Sequence, residues 1–336
     1  LRKIKKYYIA EAIDEPLYTA GIVRKDNEAI LDSMGFIALK FRFNKGWSGL
    51  IKPARLFYAI AMACKIKKNS EVLFHFPFHA KIYQLLLAIL KWKKVNTIAV
   101  IIDIDGLRDK NKTLLDKEIL ILKQFKYLVA HNSSMKNFLT QYLPHSRILL
   151  IGLFDYPFNK SLPQKIVSKS ICIAANLSKS KYVYKLHQLK ELTFNLYGNG
   201  YNPGTASPHS NVNYEGVVSP SILPAKLQGS FGLVWDGQSI EKCDDYLRYN
   251  NPHKVSLYLT AGLPIIVWED SAIATLVKEN GLGFTVKDLL EIPVKIQNIS
   301  DSAYELMLLQ VESFGEKIRR GFFLKKVIEE LDGDFK

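Results

Sequence analysis

Short runs of apolar, β-branched and aromatic residues alternate with amphipathic stretches along all 336 residues. In the first half the pattern predicts strands at Tyr7–Ala10, Phe36–Phe41, Val72–Phe76, Thr97–Ile102, Tyr127–Ala130 and Ile148–Ile151. Between them it predicts helices at Ala29–Met34, Pro53–Ile66, Ile82–Leu90, Leu114–Lys123 and Ser134–Tyr142, the last capped by Ser133. Thr97–Ile102 is almost continuously aliphatic, which suits a parallel strand covered on both faces. After a segment punctuated by Pro157 and Pro163 the alternation resumes. Strands are expected at Ser170–Ala174, Phe194–Tyr197, Phe231–Trp235, Pro264–Trp268 and Phe284–Val286. Helices are expected at Lys185–Leu189, near the Ser219-Pro220 pair, at Lys254–Thr260, at Ala272–Glu279 and as one closing helix, Glu316–Leu331. Two successive runs of this kind imply an α/β chain with two Rossmann-like domains and parallel sheets. The boundaries read as 1–155, a linker at 156–168, 169–312, and a C-terminal helical segment at 313–336 that packs back on the first domain.

Charge sharpens this division. The chain carries +14 overall, and residues 1–160 hold 27 Lys+Arg against 13 Asp+Glu, while residues 161–336 hold 19 against 19. A one-sided basic field suits an anionic surface or polymer, and a merely solvated lysine-rich surface would look the same. The apolar runs Leu56–Cys64 and Ile82–Leu90 are flanked by Lys or Arg and are too short to span a bilayer. They read mainly as core helices, although basic flanks also suit a helix lying on a membrane. Cys64, Cys172 and Cys243 form neither a C-x-x-C pair nor a metal-ligand spacing, so a disulfide framework and structural zinc are not expected and a reducing compartment is.

Candidate chemistry sits where strands end. Tyr249 through Trp268 combine a loop, a helix opening near Lys254, a stop at Gly262 and a buried strand. A helix N-terminus at the ligand-facing end of a parallel sheet offers N–H groups and positive potential to phosphate, and Lys254 adds a full charge. The competing reading is an ordinary surface lysine. Asn251 and His253 share this loop. Tyr197-Gly198-Asn199-Gly200-Tyr201 follows another strand but lacks the dinucleotide fingerprint spacing, so a nucleoside contact or a plain turn are both open. Asn176-Leu177-Ser178-Lys179 follows Ser170–Ala174 and reads as a further nucleotide contact or a solvated loop. In the first half, Asp103 and Asp105 end a strand. Either could take the proton of an attacking sugar hydroxyl, or pair with Arg108 or cap a helix. Tyr18-Thr19-Ala20-Gly21 follows the first strand, where a glycine turn admits a substrate.

From about Asn176 onward the sequence resembles the bacterial beta-1,6-galactofuranosyltransferases of O-antigen assembly and, more distantly, the glucosyltransferases that glycosylate serine-rich adhesins. The residues carrying the resemblance include Ala175-Asn176-Leu177-Ser178, Phe231 through Gly237, Ser239 through Cys243, Asn250 through Lys254, and Ile318-Arg319 with Gly321. Asp103-Ile104-Asp105, Leu107-Arg108, His131-Asn132 and Phe154-Asp155-Tyr156 add looser matches. The resemblance implies a GT-B fold whose two domains face across a cleft, a UDP-sugar donor, inversion and no metal cofactor. It places a diphosphate on Lys254 and nucleotide contacts at Thr19 and Lys179. The family usually has His where this chain has Ile102, directly before Asp103.

The expected function is hexose transfer, foremost galactofuranose from UDP-galactofuranose, to a saccharide or lipid-linked glycan in cell-surface polysaccharide synthesis. A UDP-glucose-dependent glucosyltransferase and a noncatalytic UDP-sugar-binding module are the alternatives. The expected site comprises Asp103 and Asp105 as base, with Thr19, Asn176, Lys179, Tyr197, Gly198, Asn251, His253 and Lys254 on the nucleotide sugar. The expected location is the cytoplasm, peripheral at the inner membrane face. A homo-oligomer is open, and nucleic acid is not an expected partner.

Overall fold

The structure is a computed structural model. It describes residues 4–10, 19–40, 51–78, 81–166, 168–202, 204 and 211–334, and within these the side chains of 19–20, 51–55 and 81 are not described. The chain divides into two compact units, Leu1–Ile151 with Leu324–Lys336, and Gly152–Phe323.

In the first unit the order is β1 (Lys6–Ala10), α1 (Thr19–Ser33), β2 (Ile37–Lys40), α2 (Ile51–Lys65), β3 (Glu71–Phe76), α3 (Lys81–Trp92), β4 (Asn96–Ile101), α4 (Asp105–Arg108), α5 (Lys112–Leu122), β5 (Tyr127–Ala130), α6 (Ser133–Thr140) and β6 (Arg147–Leu150). Among the described residues the six strands pair in parallel in the order β2-β1-β3-β4-β5-β6. Central strands are apolar on both faces because helices cover both sides of the sheet. Every residue of β3 is buried, and Phe74 and Phe76 join Ala99 and Ile101 of β4 in one core with Leu86, Leu87 and Leu90 of α3.

The second unit runs β7 (Ser170–Ala174), a 3-10 helix at Lys181–Gln188, β8 (Thr193–Tyr197), β9 (Val212–Gly216), α7 (Leu223–Lys226), β10 (Phe231–Val234), a 3-10 helix at Asp245–Arg248, α8 (His253–Thr260), β11 (Ile265–Trp268), α9 (Ala274–Glu279), β12 (Gly283–Val286), a 3-10 helix at Leu289–Glu291, α10 (Ile292–Gln297) and α11 (Asp301–Arg319). Its strand order is β12-β11-β10-β7-β8-β9, again parallel. From β7 the chain moves outward through β8 to β9, then returns to the opposite side at β10. The reversal lies between β7 and β10, the place where open α/β sheets bind ligands beyond the strand C-termini.

Several expectations differ from the fold. The single closing helix is two, α11 and α12 (Phe322–Asp334), because Gly321 takes φ +72° and ends the helical run. From Leu324 onward α12 belongs to the first unit, where Lys6 pairs with Asp332 and Arg147 Nε donates to Asp334 at 3.0 Å. The break between units lies at Gly152 rather than at 155, because Phe154 and Asp155 are bonded into the second unit. Ser256 Oγ donates to Phe154 O at 2.6 Å, and Phe323 N donates to Asp155 Oδ1 at 3.1 Å. Asn132, not Ser133, caps α6, its Oδ1 accepting from Met135 N at 2.9 Å. The Ser219-Pro220 pair forms a turn, and α7 starts at Leu223 with Pro224 in its first turn. Strand β9 lacks an apolar run because it is an exposed sheet edge, and its sequence VNYEG gave no strand signal.

Candidate active site

The ends of β7 and β10 carry a polar cluster of the second unit. Helix α8 is seated over them through Tyr258. The Tyr258 ring lies on Gly232 of β10, where an added Cβ would come within 2.2 Å of the ring. The Tyr258 hydroxyl accepts from Ala174 N at 2.7 Å, at the last residue of β7. One turn earlier on the same face is Lys254. Every other residue of α8 is buried, from His253 and Val255 through Thr260. The Lys254 side chain is itself only 14% exposed, so it is not an ordinary solvated surface lysine. Its Nζ donates to Trp235 O at 3.0 Å and to Asp236 Oδ1 at 2.6 Å, just past the end of β10. Pro252 occupies the N-cap without a side-chain cap, so α8 opens with the positive end of its dipole at this spot.

The loops beside Lys254 interlock. Asn176 Oδ1 accepts from Ser178 Oγ at 2.6 Å and from Ser178 N at 3.2 Å, forming a tight polar turn after β7. Leu177 N donates to Asn199 O at 2.9 Å, which seats the Gly198–Gly200 turn against it. Gly198 has φ +133°, and a Cβ there would lie 1.9 Å from Ala175 O, so the approach of the two turns requires glycine. From the other side Gln238 Nε2 donates to Lys179 O at 3.3 Å, joining the β10 loop to the β7 loop. Asn176, Ser178 and Lys179 are exposed. A lysine, a helix N-terminus and two polar turns thus meet at the sheet reversal, the combination of groups that suits an anion.

The structure thus brings Lys254, Asn176, Lys179 and Gly198 to one end of one sheet. Three other sequence candidates are otherwise engaged. The Tyr197 hydroxyl donates to Lys226 O at 3.1 Å and accepts from Gln228 N at 3.0 Å, within the core. Asn251 donates to Gly152 O. His253 is buried, its ring stacked on Tyr156 at 5.1 Å, and burial lowers its pKa to about 4. Asn251 and His253 anchor the entry segment 152–156 and so fix the loop that presents Lys254. Asp236 and Gln238 were missed by sequence reasoning. The signal was their place directly after β10, in the loop facing the one after β7.

In the first unit, residues 103–108 turn off the end of β4. Arg108 Nη1 bonds both Asp103 and Asp105, the latter at 2.9 Å, which is the ion pair that the sequence left open beside the base. Glu118 of α5 holds this turn from beneath, accepting from Asp105 N at 3.1 Å and Gly106 N at 2.8 Å. Burial, first of all, raises the Glu118 pKa to about 7, with Asp105 and Asp103 adding to the rise and the two N–H donors opposing it. Glu118 gave no sequence signal because it lies mid-helix, thirteen residues from its partner. Where the resemblance expects His, Ile102 is buried and apolar. The nearby imidazole, His131, is buried and bonded through Nε2 to Ile101 O at 3.0 Å. Thr19 opens α1, its side chain outside the described residues, and Tyr18 lies outside them altogether.

Comparisons with known proteins converge on this architecture. The N-terminal domain of the family described as glucosyltransferase 3-like matches residues 6–153, and its C-terminal domain matches residues 171–331. A beta-1,6-galactofuranosyltransferase of Escherichia coli K12 is 27% identical, over 86% of this chain and 88% of its own. Glucosyltransferase 3 of Streptococcus gordonii is 28% identical, over 92% of this chain and 93% of its own. Among solved structures, the Anabaena protein HepE in complex with UDP superposes with a TM-score of 0.66 at 12% identity, covering 98% of this chain and all of its own, a likeness of fold. With both family domains matched in order along nearly its whole length, the chain belongs to the glucosyltransferase 3-like family and is a glycosyltransferase of GT-B type.

Proposed function

We propose that the chain transfers a hexose from a UDP-sugar to a saccharide acceptor with inversion at the anomeric carbon, galactofuranose from UDP-galactofuranose being the leading donor. The observation that carries this is Lys254, largely buried at the opening of α8 and bonded to Trp235 O and Asp236 just past the end of β10. The UDP diphosphate lies against Lys254 and the helix opening, and the nucleoside against the Asn176–Lys179 and Gly198 turns. As the glycosidic bond breaks, negative charge grows on the diphosphate. A fixed cation and helix dipole stabilise that charge more in the transition state than in the ground state, without a metal. Asp103 or Asp105 accepts the proton of the acceptor hydroxyl, and Arg108 fixes the position of both carboxylates. Galactofuranose leads because the Escherichia coli relative is named for it, and UDP-glucose is the second reading because the Streptococcus gordonii relative is named a glucosyltransferase. The acceptor belongs to cell-surface polysaccharide synthesis. Release of UDP from a panel of UDP-sugars, with and without acceptor glycans, tests the reading. Turnover of one UDP-hexose supports it, and absence of UDP release from every donor overturns it.

A further inference from the structure

The two apolar sequence runs have different fates in the fold. In α3 the residues Ile82, Tyr83, Leu86, Leu87 and Leu90 are buried. In α2 only one side is covered, by Ala59, Met62 and Ala63. Its other side shows Leu56, Phe57 and Ile60 to solvent, with Phe57 75% exposed. The spacing of Leu56, Phe57, Ile60 and the exposed Cys64 puts them along one stripe of the helix. At the end of α3, Trp92 is 85% exposed. It is brought beside the end of α2 by its neighbour Lys93, whose Nζ donates to Ala63 O at 2.6 Å and Ile66 O at 2.7 Å. Large apolar side chains this exposed on two adjoining helices call for a covering partner.

The charge around them selects its chemistry. Lys65, Lys67, Lys68, Lys91 and Lys94 are all exposed at these helix ends. Between Asp32 and Asp103 the sequence has twelve Lys or Arg and a single acid, Glu71, which is buried. No exposed acid among the described residues of this stretch dilutes the field. A second exposed apolar set, Leu306 and Leu309 on α11, lies instead on a helix that also bears Asp301, Glu305, Glu312 and Glu316. We propose that the α2 stripe with Trp92 and its lysine rim docks on an anionic phospholipid bilayer. Phe57, Ile60 and Trp92 enter the interfacial region, and the lysines lie against the headgroups with their aliphatic stems along the apolar surface. This deepens the membrane-surface expectation drawn from the sequence and is independent of donor chemistry.

The test is flotation of the full chain with phosphatidylglycerol–phosphatidylcholine vesicles and with pure phosphatidylcholine vesicles. The chain is expected to bind the anionic vesicles, to bind neutral ones weakly, and to be released as salt rises. The double variant Phe57→Ser/Trp92→Ser and the triple variant Lys65→Glu/Lys67→Glu/Lys68→Glu each lower partitioning by about tenfold or more, while melting temperature and UDP affinity stay unchanged. Should either variant fold poorly, Trp92→Phe is made in a Trp47→Phe background, the remaining Trp235 and Trp268 being buried, and brominated lipid should quench tryptophan emission in the Trp47→Phe parent but not in this variant. Absence of vesicle binding, binding unaltered in both variants, or quenching that persists in Trp47→Phe/Trp92→Phe overturns the proposal. Concentration-dependent self-association that Phe57→Ser/Trp92→Ser abolishes overturns it too, since the stripe would then be an interface between copies. Unchanged UDP affinity throughout separates any such failure from failure of the transferase reading.

Discussion

The two units use one sheet architecture to hold charge in opposite ways. At the end of β10 in the second unit a single lysine faces a single half-buried carboxylate, Asp236, and the polar turns beside it are open to solvent. At the end of β4 in the first unit three carboxylates, Asp103, Asp105 and Asp109, share one guanidinium, and Glu118 fastens the turn from below through the backbone N–H groups of Asp105 and Gly106. In the proposed reading the first arrangement offers Lys254 and the opening of α8 to an anion, with Asp236 as the counter-charge of the lysine. The second fixes carboxylates in place and leaves little cationic character at the turn, although this unit is the strongly basic one. Its positive charge is displayed elsewhere, over the ends of α2 and α3. Net charge and local charge are thus separate properties.

The comparison breaks first at Lys254. Lys254→Ala should lower kcat/KM for the UDP-sugar by about a hundredfold or more, measured by UDP release, because the growing diphosphate charge loses its cation. Lys254→Arg should recover part of it. Next, Gly232→Val should lower stability by about 3 kcal/mol or prevent folding, read from denaturant unfolding, since its side chain would strike the Tyr258 ring that seats α8. Gly198→Ala should destabilise less, by about 1–2 kcal/mol, through its positive φ and the clash with Ala175 O. In the first unit, Asp103→Asn and Asp105→Asn made separately should show one residue whose loss removes most turnover with UDP binding intact. Equal, small effects from both would leave the turn a purely structural ion pair.

The smallest expected effect concerns Glu118. Its folded pKa, about 7, lies above the ordinary 4.5, so the folded chain binds the proton more tightly than the unfolded chain. Its ionisation costs no stability below about pH 4, costs progressively more as pH rises from 4.5 to about 7, and no more beyond. Glu118→Gln should flatten the fall of stability with pH in that window. Part of the slope should remain, because burial also raises Glu71, to about 6. A slope identical to the parent's would show that Glu118 does not titrate abnormally.

Much of this fold could be read from the chain because buried parallel strands are written as short apolar runs. Tyr127–Ala130 and Ser170–Ala174 coincide with the structure to the residue. Edge strand β9 and the break at Gly321 were not readable, since the one has no apolar run and the other interrupts a continuous amphipathic pattern with a single glycine. At the site, a lysine at a helix opening after a strand was a local signal, and so were the turns at Asn176 and Gly198. The roles of Asn251, His253 and Tyr197 were not local. Each depends on a partner brought close by the fold: Gly152, Tyr156, and the Lys226–Gln228 segment.

The most direct measurement is calorimetric titration of UDP and of uridine into the parent and into Lys254→Ala. If Lys254 grips the diphosphate, the parent prefers UDP to uridine by at least about tenfold, as a charge-assisted contact to phosphate requires, and the variant loses most of that preference while its uridine affinity is unchanged. A variant that still prefers UDP to the same degree would contradict the account.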